Sequence, residues 1–433
     1  MELIRPTFSI LKYFYENPLR NLKLIVARQL DNMGLPSNQG VTRTVYGVVR
    51  KEQLIGQIIK RCSKRETDDI DPDVLLLLKI GIYLLIFSES YPDHAVVNEI
   101  VNFSGKKAKN FLNANLRTVI REKYNIEAMI ENLQEYPLKY SISDFLIENL
   151  AAISNNLNED LYYLNQEPRF HLRVNTHKFD YEQVKEALAE ITDDFKELKD
   201  FTSFEVRSLS KEIKKLVNNQ YLYVQNTSSQ FVSIIASRYC RERVLDCCAA
   251  PGTKAVTLTL LRPGLTVIAN DLKIYRTNIM QQFTRDFELP GIYLLASDAR
   301  QLALKGNFDF IIADAPCSAA GTLRKNPDLK LKINRQIVER NSRIQVDIVK
   351  SVLPYLEENG VLLYSVCSFV KEETEDVLHR LDQAVGIETV DISDLLSEYG
   401  FEFIRKKWGF YLLPEPFLNN DLFYFALVRN RTN

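Results

Sequence analysis

RVLDCCAAPGTK, residues 243–254, decides the fold of this chain. An apolar strand runs into Asp246, Cys247 and Cys248. Ala249, Ala250, Pro251 and Gly252 then make a tight turn, and Thr253 and Lys254 open the helical run KAVTLTLL. Strand, turn and helix in that order form the first unit of a parallel sheet with helices on its faces. Small turn residues let the backbone approach a ligand closely, and the helix offers its N-terminal donors to a carboxylate or phosphate. The turn matches neither G-x-G-x-x-G nor the P-loop, and the missing glycine fingerprint excludes a Rossmann-type dehydrogenase.

Downstream the alternation continues. LTVIAN (265–270), GIYLLAS (291–297), FDFIIAD (308–314) and GVLLYSV (360–366) read as strands, separated by helical stretches such as YRTNIMQQF and RQIVERNSRIQVDIVKSVLPYL. Near-continuous apolar strands of this kind lie in a parallel sheet covered on both faces. FEFIRKKW (401–408) and DLFYFALV (421–428) read as a terminal strand pair. Residues 223–433 are therefore expected to form a doubly wound, mostly parallel α/β unit. Ligands of such sheets bind beyond the carboxyl ends of the strands. The residues there are Asp246 to Lys254, Asn270-Asp271, Ser297-Asp298, Asp314-Ala315-Pro316-Cys317 and Val366-Cys367-Ser368. Taken singly each has a bland explanation, since a lone cysteine is usually a small core hydrophobe and a strand-end aspartate a helix cap. Together they converge on one rim of one sheet. A carboxylate at Asp271, about 20 residues past the turn, suits a pair of ribose hydroxyls.

Upstream the periodicity changes. From Pro6 to about Lys123 apolar residues recur three and four apart, as in FSILKYFY and QLIGQIIKRC, and Asp71-Pro72 opens a buried helix through VLLLLKIGIYLLIF. About seven helices and no strand predict an all-α bundle over 1–134. Its Arg43–Arg65 stretch (Arg43, Arg50, Lys51, Lys60, Arg61, Lys64, Arg65) reads either as a solvated helix face or as a phosphate-contacting one. Residues 135–222 mix a helix (SISDFLIENLAAI), the strand RFHLRVNT, a second helix (YEQVKEALAEI) and a strand near FEVRSL, a small α/β connecting module.

The 433 residues suit about three domains. Hydrophobic content of 46%, charged content of 26% and only 15 Gly and 15 Pro exclude a disordered or low-complexity chain. With 55 basic and 56 acidic residues, any polyanion must meet a local basic face. Six cysteines without a Cys-x-x-Cys pair, and histidines scattered at 94, 171, 177 and 379, suit neither a disulfide scaffold nor a zinc site. The N-terminal stretch lacks secretory features, and the greasiest segment, Val74 to Phe87, is broken by Lys79 and is short of the ~20 apolar residues of a membrane span. A cytoplasmic monomer with no metal and no membrane contact is expected.

VLDCCAAPGTK (244–254), ASDAR (296–300), DFIIADAPCSAAGTLRKNPDLK (309–330) and LLYSVCSFVKEETEDVL (362–378) resemble the motifs of Sun/RsmB-type RNA cytosine-5 methyltransferases. The pairing of Asp-Ala-Pro-Cys with a later Ser-Val-Cys-Ser is highly specific for that group. DPDVLLLLKIGIYLLIF, HAVVNEIV and NFLNANLR are similar to the NusB-like RNA-binding bundle fused to the bacterial ribosomal enzymes, and LRVNT and VQNTSSQ to their middle module. The chain departs from the family's pattern at Thr253, Ala320 and Leu331, where a glycine, a threonine and a tryptophan are usual.

The resemblance implies a NusB-like bundle, a connecting module and a Rossmann-like class I methyltransferase domain that uses S-adenosylmethionine on RNA. Domain composition favours 16S ribosomal RNA; the alternatives are the same reaction on tRNA and a non-catalytic RNA-binding assembly factor. Carbon 5 of cytosine is a poor nucleophile. A thiolate that adds to carbon 6 makes carbon 5 enamine-like, and a base must then remove the carbon 5 proton so that the thiolate can leave. By resemblance Cys367 is the nucleophile, Cys317 assists elimination and release, and Asp314 hydrogen-bonds the base edge. The turn Cys248, Ala249, Ala250, Pro251, Gly252, Thr253 and Lys254 would hold the methionine end of the cofactor, Asp271 the ribose and Asp298 the adenine edge, with Asp314 lining the methyl. The cations after Cys317 (Arg324, Lys325, Lys330, Lys332, Arg335, Arg340, Arg343) are expected in part to meet RNA phosphates. Cys247 and Cys240 read as core packing, and Cys62 as part of the bundle.

Overall fold

The fold was described from a computed structural model over residues 3–35 and 38–431. It comprises two compact units, Met1–Glu148 with Leu323–Ile333, and Asn149–Thr322 with Asn334–Asn433.

The first unit is helical. Its helices include Ile4–Glu16, Leu22–Asn32, Gln39–Arg50, Glu52–Ser63, Pro72–Ile86, Asp93–Phe103, Lys109–Arg121 and Lys123–Asn132. Pro72–Ile86 is the central one, with nine of its residues buried from Leu76 to Leu85. Asp71 caps it by accepting from the backbone N–H of Asp73 (3.0 Å) and Val74 (3.2 Å), so two otherwise orphaned donors at the helix start are satisfied. Two glycines allow neighbouring elements to pack closely. A Cβ on Gly47 would lie 2.0 Å from the Tyr83 ring, and one on Gly81 would lie 2.6 Å from Leu116.

Residues 323–333 pack within this unit. Arg50 donates to the carbonyl of Arg324 (2.8 Å). Lys330 donates to the carbonyls of Tyr140 (2.9 Å) and Arg50 (3.2 Å). Asp328 accepts from Leu22 N–H and pairs with Lys332 at 2.6 Å. Two expectations are corrected here. Arg50 is buried and does not belong to a solvated or phosphate-facing surface, and Arg324 and Lys330 are buried too. The Arg50 and Lys330 cations serve carbonyl oxygens that close packing would otherwise strand. Arg340 and Arg343 stay exposed on the helix Arg335–Val352.

The second unit holds two sheets. In the smaller, β1 (Phe170–Val174), β2 (Phe195–Leu198), β3 (Ser203–Val206) and β4 (Leu222–Val224) lie antiparallel in the order β2-β3-β1-β4. Leu172, Val174, Phe204, Val206 and Leu222 form its core with Val184, Leu188 and Ile213.

The larger sheet has nine strands: β5 (Arg243–Asp246), β6 (Thr266–Asp271), β7 (Ile292–Ala296), β8 (Phe308–Asp314), β9 (Leu356–Val366), β10 (Ile387–Val390), β11 (Phe403–Arg405), β12 (Phe410–Leu412) and β13 (Tyr424–Asn430). The order is β11-β12-β13-β9-β8-β5-β6-β7, with β10 also on β13. β9, β8, β5, β6 and β7 are parallel, as their apolar runs predict, whereas β10 to β13 are antiparallel. The terminal strand pair is corrected in detail: FEFIRKKW contributes β11, which pairs with β12 and not with the DLFYFALV strand β13. The intervening β12 is only three residues long, too short for a periodicity to register. Val244, Val267, Phe310, Ile312 and Leu363 lie in one core with Phe231, Ile235 and Phe425.

Candidate active site

Parallel pairing brings the strand ends to one rim. Asp246 ends β5 beside Ala269 and Ile312 of its neighbours, Asp271 ends β6 beside Ala296, and Asp314 ends β8 beside Ser365, two residues before Cys367. Five separate stretches of chain thus deliver their polar residues to the same edge.

The turn after β5 is held by its neighbours. Cys247 N–H donates to the Ile312 carbonyl (3.0 Å) and Ala249 N–H to the Asn270 carbonyl (2.7 Å). Gly252 has φ +101°, and a Cβ there would lie 2.7 Å from Met280, so glycine meets both a backbone and a space requirement. Thr253 then opens the helix Thr253–Leu261. Asp271 is buried; it accepts from Ala250 N–H (3.3 Å) and Lys273 N–H (3.2 Å), with Arg276 at 3.3 Å. Asp298 is gripped by Arg300 at 2.6 Å, and this guanidinium holds its carboxyl below the usual range.

Lys254 and Asp314 form an ion pair of 2.6 Å. Burial works against the lysine's charge, but Asp314 more than offsets this, and Lys254 ends above the ordinary lysine range. Ser365 donates to the other Asp314 oxygen at 2.9 Å. Asp246 lies fully buried behind this pair, and burial pushes its carboxyl up to about 7, tempered by Lys254. One of its oxygens, Oδ2, has no hydrogen-bond partner among the described residues.

Cys317 and Cys367 stand with their sulfurs 3.4 Å apart, both half-buried. The bonded Cys367 thiol, burial and the Glu373 carboxylate together push the Cys317 thiol well above its usual range. Cys240 is buried in the sheet core, Cys247 is buried at the strand end, and Cys62 is half-buried against the bundle core. The roles of Asp246 and Glu373, and the pairing of Lys254 with Asp314, escaped the sequence reading. The only signal was the serine that directly follows each cysteine, since Ser318 bonds Glu373 and Ser368 meets Ser318.

Class I methyltransferases build their sites on such a rim, and this fold and site put the chain in that class. Sequence relatives narrow it. Residues 235–429 match the 16S rRNA methyltransferase RsmB/F family and residues 20–121 the NusB family. The C-terminal part of the chain is thus similar to the RsmB/F methyltransferases and its N-terminal part to the NusB family. It is 29% identical over 402 residues to a probable ribosomal RNA small subunit methyltransferase B of Coxiella burnetii, covering 88% of this chain and 90% of that protein. It is 26% identical over 401 residues to ribosomal RNA small subunit methyltransferase B of Proteus mirabilis, covering 89% of each. Among solved structures, that of PH0851 superposes with a TM-score of 0.77 at 21% identity over 99% of both chains. That of NSun6 from Pyrococcus horikoshii with SFG, an S-adenosylmethionine analogue, gives 0.55 at 19% identity, covering 67% of this chain and 99% of that one. At these identities the structural likeness is one of fold. No helix among the described residues is long and apolar enough to cross a membrane.

Proposed function

We propose that the chain transfers a methyl group from S-adenosylmethionine to carbon 5 of a cytosine in small-subunit ribosomal RNA, through a transient Cys367–cytosine bond. The observation that carries this reading is the pair of thiols 3.4 Å apart beside the Lys254–Asp314 ion pair.

The residues of the cofactor side fit the group. The unpartnered, fully buried oxygen of Asp246 lies where an ammonium group would satisfy it. The turn 248–254 would hold the methionine end, Asp271 the ribose and Asp298 the adenine edge. When bound, the cofactor supplies an electrophilic sulfonium methyl.

The chain's own groups do the rest. The substrate base must leave its stack, because carbon 6 is attacked from the ring face. Lys254 keeps its charge at the rim beside Asp314. Asp314, oriented by Ser365 and Lys254, accepts from or shares a proton with the base edge as charge develops on the ring. Cys317 takes part in removing the carbon 5 proton, after which the Cys367 sulfur departs from carbon 6 with its electron pair. Residues 1–134 would bind RNA, 135–222 connect, and 223–433 carry the chemistry.

The test is a pair of variants. Cys317→Ala should leave RNA covalently bound to the protein through Cys367, and Cys367→Ala should abolish both adduct and product. Equal loss with no adduct in either variant overturns the assignment. Mapping 5-methylcytosine across rRNA and tRNA after gene deletion separates the ribosomal target from the tRNA alternative.

A further inference from the structure

Glu373 lies directly behind the two thiols, and the chemistry above gives it no task. It is fully buried. Its Oε1 accepts from the backbone N–H of Ser318 (2.7 Å) and from Asn341 Nδ2 (3.1 Å), while Oε2 meets the Ser318 hydroxyl at 2.5 Å. The Ser368 hydroxyl lies 3.3 Å from that of Ser318, so the carboxylate reaches Ser368 through Ser318. Ser318 follows Cys317 and Ser368 follows Cys367. One carboxylate therefore ties the residues next to both thiols, which come from the ends of different strands.

The surrounding backbone completes the clamp. Gly321 N–H donates to the Cys367 carbonyl (3.0 Å), and Leu422 N–H donates to the Gly321 carbonyl (3.2 Å). Tyr364 OH donates to the Glu373 carbonyl (2.6 Å) and fixes the glutamate's own backbone. A buried carboxylate is costly unless donors surround it, and an apolar residue would fill this space at less cost. Its presence calls for a reason beyond packing. It bonds the backbone N–H of the residue after Cys317, and its charge acts on that thiol.

We propose that Glu373 is a positioning residue for the methyl transfer: by joining Ser318 to Ser368 it sets the distance between Cys317 and Cys367 and keeps Cys317 aimed at the adduct that Cys367 forms. This rests on the two-thiol reading above. The nucleophile is fixed by its own strand end, so loosening the clamp affects release of the adduct before it affects its formation. A displacement of about 1 Å can cost about 100-fold in rate.

The experiment measures covalent protein–RNA adduct, kcat, KM for RNA and cofactor affinity in full-length Glu373→Ala, Glu373→Gln and Ser318→Ala. Glu373→Ala is expected to lower kcat by about 10- to 100-fold, leave cofactor affinity within about twofold, and accumulate adduct that the wild type does not. Glu373→Gln keeps Oε1 as an acceptor and should recover much of the rate. Ser318→Ala removes one hydroxyl without emptying a buried site, and serves if Glu373→Ala does not fold. Unchanged kcat and adduct in the folded variants overturns the proposal, as does a loss of kcat and cofactor binding together with no adduct, which marks a structural role. Cys317→Ala is run alongside. If it yields no adduct, the two-thiol reading itself fails; if it does while the Glu373 and Ser318 variants resemble wild type, only this inference fails.

Discussion

The sulfur of Cys317 lies 3.4 Å from that of Cys367, a residue fifty positions further along the chain. β8 and β9 are adjacent and parallel, so the loops after them emerge side by side. The Glu373 carboxylate acts on the Cys317 thiol, which makes the reactivities of the two thiols unequal. Iodoacetamide titration at neutral pH, read by mass spectrometry, is expected to label Cys367 before Cys317, because Cys367 itself, burial and Glu373 hold the Cys317 thiol protonated. Cys240, whose thiol burial raises to about 11, should label later still. Faster labelling of Cys317 than of Cys367 contradicts the charge asymmetry.

Lys254→Met breaks a pair that is mostly buried and leaves Asp314 without its cation. Loss of about 3 kcal/mol of stability is expected, with methyl transfer falling below detection. Adding Asp314→Asn should restore most of the stability and none of the activity, as thermal unfolding and a methylation assay would show together. Since Lys254 is held above the usual lysine range, its contribution is complete at neutral pH and is lost only as pH rises beyond about 10.5.

Asp246 has the opposite pH signature. Its carboxyl is raised to about 7, so the native state holds a proton that the unfolded chain releases near pH 4. The group's stability contribution is greatest below about pH 4 and is lost as pH rises through about 7. Asp246→Asn is therefore expected to unfold at a higher temperature than the wild type at pH 8, with a ceiling of about 4 kcal/mol, and the gap should close towards pH 5. The same variant should bind S-adenosylmethionine at least about tenfold more weakly, the loss expected when a charged partner is removed. A pH-independent stability difference contradicts the raised carboxyl.

Two neighbours in the Cys317 loop should respond in opposite directions. Ala319 has φ +60°, a left-handed conformation that costs a residue with a Cβ about 1–2 kcal/mol. Ala319→Gly is expected to raise stability by no more than about 1 kcal/mol, part of the gain being offset by unfolded-chain entropy. Gly321→Ala would place a Cβ 1.9 Å from the Leu422 carbonyl oxygen. A loss of about 1–3 kcal/mol and most of the activity should follow. Denaturant unfolding of both variants checks the pair.

Much of the site was readable from the linear chain because a parallel sheet obeys a simple rule. Each apolar run ends at the same rim, so Asp271, Asp298, Asp314, Cys317 and Cys367 could be placed on one edge from their positions after strands. Asp71 and Pro72 announced their helix in the same local way. The basic residues were harder. Arg50, Arg324 and Lys330 look like surface cations in sequence, yet all three are buried, and Arg50 and Lys330 donate to carbonyl oxygens of residues far along the chain. The three-residue β12 was invisible for want of length.

By itself, then, the order of amino acids determined the helical and parallel-sheet regions and the set of groups at the rim. Both follow from local periodicity and from the side on which each strand ends. Only the tertiary structure decided which of those groups touch. The Lys254–Asp314 pair, the unpartnered oxygen of Asp246, and the run from the Glu373 carboxylate through Ser318 to Ser368 depend on distances across the sheet. Burial and proximity set protonation, and neither is a property of a residue's neighbours in the chain.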